Sequence, residues 1–193
     1  MSTSTPLLQL PANHLPVNKD LKERQVQALS QPFENLLITT VNDGPFFVGD
    51  LFQRKFAHPA PEYGNPVICF YRKSWNHFIP VSYASFLPYE EVILVGGAMT
   101  DGSAFGHMPE SLPDEIRKSG GIYFHVLKFA FNHFREDCEA FFGYAGDRRA
   151  YDVDIAAGFE STKHQHLIAH FHKPLMIERK NFLIEKIHGI GPF

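Results

Sequence analysis

The stretch Arg117-Lys118-Ser119-Gly120-Gly121-Ile122 sets two cations and two glycines directly ahead of an apolar helical run. A helix start leaves backbone N–H groups unpaired and carries a partial positive charge, so an anion such as a pyrophosphate is stabilised there. Gly120 and Gly121 lack the Cβ atoms that would hold oxygens away, and Arg117 and Lys118 add charge. A glycine pair also serves simply as a tight turn before a helix. Upstream, Val92-Ile93-Leu94-Val95-Gly96-Gly97 ends an apolar run on two glycines. That pattern suits a bulge or a close ligand approach, and equally an ordinary kink in a buried strand. It lacks the G-x-G-x-x-G spacing of a dinucleotide fingerprint. His164, His166, His170 and His172 share one parity, so a continuous strand would project all four from one face. His-x-His is a legitimate zinc spacing, but spacing identifies no third ligand, and a pH-sensitive polar face suits the pattern better.

The elements that must hold these residues follow from periodicity. Residues 1–18, with Pro6, Pro11 and Pro16, read as an extended arm; 20–30 and 33–41 read as helical pieces. After the turn Asn42-Asp43-Gly44-Pro45, residues 46–58 repeat their apolar positions at helical spacing. Strands are expected over 67–71, 77–87 (before Pro88) and 92–97, joined by short turns into an antiparallel meander. Residues 100–119 are rich in Gly, Pro, Ser and Asp, and 122–135 form a strong helix. A strand at 140–144, a short helix at 148–157 closed by Gly158, a strand at 167–171 and a helix at 174–188 complete the chain. The class is α/β: a mixed, mostly antiparallel sheet flanked by helices. An N-terminal arm and helical extension over 1–65 packs on a body at 66–193, as a single domain.

Composition sets the limits. With 193 residues, 44% hydrophobic and 20% charged, the chain is globular. A net charge of −3 gives no electrostatic grip on nucleic acid or an anionic membrane. Protonating all 11 histidines would carry that charge from −3 to +8. Two cysteines, Cys69 and Cys138, are too few for a secreted scaffold and read as buried thiols. No basic leader with a long apolar run and no span of ~20 apolar residues is present, so a soluble, cytoplasmic protein is expected.

Strand, strand, strand, glycine-led helix, strand, short helix, Gly-Phe, strand, over roughly residues 66–172, resembles the order of the GNAT acyltransferases. The pyrophosphate signature of that family, Gln/Arg-x-x-Gly-x-Gly/Ala, is met by Arg117 and Gly120; Ile122 stands at its last position, and Gly121 comes one residue early. The second pattern, Asn-x-x-Ala, then Tyr, then Gly-Phe, is met by Ala150 and Gly158-Phe159, with Asp147 for Asn and Asp154 where Tyr is usual. Residues 99–116 separate the third strand from the glycine loop by more than the family norm. The resemblance implies acetyl-CoA or a longer acyl-CoA as co-substrate, with no metal. Its contacts would be Gly97, Ala98 and Met99, where the strand splays to take the pantetheine arm, and Arg117, Lys118, Ser119, Gly120, Gly121 and Ile122. The acceptor would be the amine of a small molecule or peptide, and a homodimer is left open.

Such chemistry needs a neutral amine, a polarised thioester carbonyl and a proton for the leaving thiolate. Glu90, Glu91 and Asp101 flank the third strand as candidate proton relays, or as solvated loop charges. Backbone N–H groups beside Gly97 and Ala98 would polarise the carbonyl. The family position makes Asp154 the general acid, although an ordinary carboxyl near pH 4 suits a thiolate poorly. Tyr151, three residues earlier on the same helical face, and Tyr144, at the end of its strand, are the substitutes. The 19 phenylalanines allow an apolar groove for a longer acyl chain or simply an aromatic core. The departures at Asp154 and in the glycine loop also suit a non-catalytic GNAT-like module that binds a ligand or partner.

Overall fold

The computed structural model describes residues 27–193; the arm expected over 1–18 and most of the helix expected over 20–30 lie outside them. Gln27–Ala28, at the end of that expected helix, form a short strand, β1. It pairs antiparallel with β2 (Leu36–Thr40). The helix expected over 33–41 is therefore corrected to a strand. Leu36 and Ile38 are fully buried while Leu37 and Thr39 are half-buried, a period of two, and the β-branched Ile38, Thr39 and Thr40 favour the pleat.

Residues 67–71 are apolar at every position, and such a strand needs cover on both faces. They sit within β3 (Asn65–Ser74): Val67, Cys69 and Tyr71 face one side, Ile68 and Phe70 the other. The chain turns at Trp75–Asn76 into β4 (His77–Tyr89), which runs through Pro88, and then into β5 (Val92–Thr100). A 3-10 turn (Gly102–His107) and α2 (Leu112–Lys118) occupy the Gly/Pro-rich segment. After α3 (Ile122–His133) come β6 (Ala140–Tyr144), α4 (Arg148–Ala157), β7 (Glu160–Ser161) and β8 (Leu167–His170). The last helix is α5 (Ile177–Ile190); it starts three residues after Pro174.

The eight strands of the described residues lie in the order β1-β2-β3-β4-β5-β6-β8-β7. All neighbours are antiparallel except β5 and β6. On one face, α3 buries Ile122, Val126, Leu127, Phe129 and Ala130 against Val67, Phe86, Ile93 and Phe141. The opposite face is covered in two parts. α1 (Gly44–Phe56), capped by Asp43, sets Val48, Leu51 and Phe52 on Ile68, Phe70, Tyr83 and Met99. α5 sets Leu183 and Ile187, one turn apart, on Val92, Leu94, Phe142 and Leu167. Arg179 reaches Glu91 at 3.1 Å and Glu139 at 2.8 Å, and Lys186 reaches Glu91 at 2.8 Å, tying α5 to the starts of β5 and β6. Cys69 and Cys138 are free, buried thiols, and burial pushes each up to about 12. Among the described residues no helix is long and apolar enough to cross a membrane.

Candidate active site

β5 and β6 pair over four positions, from Val92 opposite Ala140 to Val95 opposite Gly143. β6 then ends at Tyr144, and the Ala145 N–H donates to the carbonyl of His166, the residue just before β8. β5 continues to Thr100 along β4, with a register slip between Tyr83–Met99 and Ser85–Gly96. That slip is a bulge at Gly97, whose φ of +60° suits glycine and whose backbone is exposed. Past Val95, the β5 edge that faced β6 has no strand partner among the described residues. A wedge therefore opens at the carboxyl ends of two parallel strands, where α/β sheets receive ligands. The element order is that implied by the resemblance. The fold is GNAT-like.

No family model matches the chain, and no curated protein matches it in sequence. Among solved structures it is similar to the ribosomal-protein-S5-alanine acetyltransferase of Vibrio fischeri, at 10% identity and a TM-score of 0.48, covering 76% of this chain and 100% of that one. For the ribosomal-protein-S18-alanine N-acetyltransferase of Escherichia coli the values are 10% and 0.45, with 74% and 97% covered. For an acetyltransferase of the GNAT family from Bacillus anthracis they are 13% and 0.36, with 76% and 95% covered. The sheet itself carries the assignment.

Within this GNAT-like frame the glycine loop differs from expectation. The Gly120 N–H donates to the Arg117 carbonyl (3.2 Å) and the Gly121 N–H to the Ile116 carbonyl (2.9 Å). Both amides thus close the end of α2 and are not open to an anion, because positive φ values of +102° and +90° fold the turn back on that helix. Arg117 pairs with Asp114, and Lys118 pairs with Glu115 at 3.0 Å. The Ser119 hydroxyl donates to the Ile116 carbonyl (2.9 Å) and so accepts from His125 Nε2 (2.8 Å). No side chain caps α3, which leaves the first-turn amides of Ile122, Tyr123 and Phe124 as its anion-facing groups. At the wedge, Ala98 is half-buried. Met99 is buried, and its carbonyl accepts from the Ser82 hydroxyl at 2.9 Å, fixing the strand beyond the bulge.

The acid–base candidates separate by position. Glu91 precedes β5, four residues and about 13 Å from the end of the β5–β6 pairing, and it is held by Arg179 and Lys186. Glu90 pairs with Lys186 at the same end. Neither reaches the wedge, which corrects both assignments. Asp101 directly follows β5. Its Oδ1 accepts from the Ser103 N–H (2.9 Å) and hydroxyl (2.6 Å), and Oδ2 lies 3.5 Å from Arg54. Burial pushes its pKa up, but these partners outweigh burial and hold it below the usual carboxylate range.

Asp154 is only 5% exposed. Burial raises its pKa from 3.8 to about 6, opposed by a hydrogen bond from the Tyr123 hydroxyl. Its Oδ1 has no hydrogen-bond partner among the described residues. Burial, then the Asp154 charge, raises Tyr123 well above its ordinary value. Tyr123, in the first turn of α3, is thus the partner of Asp154, a pairing that only the packing of α3 against α4 reveals. The Tyr151 hydroxyl lies 2.6 Å from Ser161 Oγ, in a surface depression shared with His164 and His166. Tyr144 stands half-buried at the mouth of the wedge.

The histidine face does not form. β8 spans only Leu167–His170, and His166 has φ of +67°. His164 meets Glu185 (2.8 Å) and stacks on His188; His166 faces the Ala145 carbonyl (3.1 Å). His170 Nδ1 donates to the Gly158 carbonyl (2.7 Å), and His172 Nε2 to the Arg135 carbonyl (2.6 Å). Among the described residues no group of three or more His, Cys, Asp or Glu is placed to hold a metal ion.

Proposed function

We propose that this chain is an acyl-CoA-dependent N-acyltransferase whose co-substrate occupies the wedge between β5 and β6. The observation that carries the reading is the parting of a four-residue parallel pair beside the exposed Gly97 bulge. Acyl-CoA would supply an acyl group activated as a thioester. Backbone groups from Gly97 to Met99 orient it along the free β5 edge, and N–H groups beside Gly97 and Ala98 polarise its carbonyl. The diphosphate is met by the amides of Ile122, Tyr123 and Phe124, with the exposed Arg117 and Lys118 as outer charges. Tyr144, at the wedge mouth, holds the proton returned to the thiolate; Asp101 draws the amine proton off through water. Asp154 and Tyr123 fix the α3–α4 contact behind the site. The acceptor is the amine of a small molecule or peptide.

Isothermal titration with coenzyme A and acetyl-CoA tests the reading: saturable binding is expected, and no heat from either ligand contradicts it. A second reading, a non-catalytic binding module, draws on the spent Gly120 and Gly121 amides and the buried Asp154. Thiol release from acetyl-CoA across a panel of amines separates the two, since a pure binder releases none.

A further inference from the structure

The chain beyond α5 returns to the wedge. It leaves the helix through Gly191 (φ +85°) and lays the Phe193 backbone over Gly96. A Cβ placed on Gly96 would lie 3.8 Å from the Phe193 carbonyl oxygen. The Phe193 ring meets the Tyr144 ring edge-on, with centroids 5.4 Å apart and planes at 82°. Gly96 is the first β5 residue after the pairing with β6, and Tyr144 the first β6 residue after it. One residue therefore bridges the two strands at the point where they part. It does so on the α5 face, in the apolar cluster built on Leu94, Phe142, Leu183 and Ile187.

We infer that Phe193 is a specificity-determining wall: it closes the α5 face of the wedge and restricts the bound acyl group to a short chain. The inference rests on the acyltransferase reading above. A longer straight chain gains affinity with each CH₂ only where space exists to bury it. The paired rings of Tyr144 and Phe193 fill that space on this face. The Phe193 backbone lies at ordinary van der Waals distance from the Cβ position of Gly96, so the segment packs directly on β5. Leu183 and Ile187, both fully buried, anchor α5 without help from Phe193, so the wall can be altered while the helix stays in place.

The test is calorimetric titration of acetyl-CoA and octanoyl-CoA into the full chain, wild type and Phe193→Ala, with circular dichroism to verify folding. Wild type is expected to bind octanoyl-CoA no more tightly than acetyl-CoA. Phe193→Ala is expected to raise the octanoyl-to-acetyl affinity ratio at least tenfold. Phe193→Leu, which keeps an apolar anchor, shifts it the same way by less and serves if the alanine variant does not fold. An unchanged ratio in a folded variant, or a wild-type preference for octanoyl-CoA, overturns the wall and leaves the acyltransferase reading standing. Failure of wild type to bind either ester removes both.

Discussion

At the scale of residues, the most informative group is Asp154. The folded chain holds its proton with a pKa of about 6 against an ordinary 3.8, so the protonated carboxyl is the form that the fold favours. The stabilisation this gives is complete below about pH 4 and is lost as pH rises through about 6. Asp154→Asn keeps an acceptor for Tyr123 and removes the buried charge. It should therefore stabilise the protein at pH 8 by up to ~3 kcal/mol, with the advantage vanishing near pH 4. Thermal melts across that range check this, and a variant less stable than wild type at pH 8 would contradict it. Tyr144→Phe keeps the ring against Phe193 and deletes the hydroxyl. Under the proposed roles, coenzyme A affinity stays level while turnover falls ~10²–10⁴-fold, measured by thiol release with whichever amine the panel identifies. Residue types named Tyr144, Asp154 and Gly97 from the sequence, but environments were not legible there. Nothing local places Tyr123 beside Asp154, or turns the Gly120 and Gly121 amides onto α2; both depend on how helices meet.

Elements that declared themselves by a strong period were readable: β3 to β5, α1, α3, β6 and α4 lie close to their expected positions. Two cases misled. At 33–41 a run of apolar and threonine residues fits helical and strand spacing alike, and the open edge of β3 decided in favour of β2. At 164–172 parity is meaningful only inside an unbroken strand, which the positive φ of His166 interrupts. The bulge was anticipated by Gly96-Gly97, and it yields a prediction at this scale. Gly97→Val forces a β-branched side chain into φ +60°, with Phe52 and Tyr83 each 3.6 Å from the new Cβ. Backbone strain alone should cost ~1–3 kcal/mol, and coenzyme A binding should weaken in step with the distorted wedge. Denaturant melts and calorimetry measure the two; unchanged affinity would take the bulge out of the site. Gly120 is a poorer probe, because a Cβ there would lie 3.0 Å from the Phe124 ring and disturb the α2–α3 turn itself.

Over the whole molecule, one sheet serves three packing surfaces, and the wedge lies where the α1 and α5 covers leave β5 and β6 to part. The ion pairs at the starts of β5 and β6 and the apolar contacts of α5 hold that geometry from the far end. Leu183→Ala should cost ~2–5 kcal/mol by leaving a cavity over Leu94 and Phe142, seen as a lower denaturation midpoint. A loss under 1 kcal/mol would mean that α5 is not part of the core. The phenylalanines, which from sequence could line a groove or fill a core, divide: Phe52, Phe86, Phe141 and Phe142 are fully enclosed, whereas Phe46, Phe47, Phe56, Phe78 and Phe182 are exposed. We place the ligand at the wedge and the head of α3. Amide hydrogen exchange with and without saturating coenzyme A tests that claim most directly. Slowed exchange confined to residues 96–100 and 122–124 is predicted; no slowing there, or protection centred elsewhere on the sheet, would contradict it.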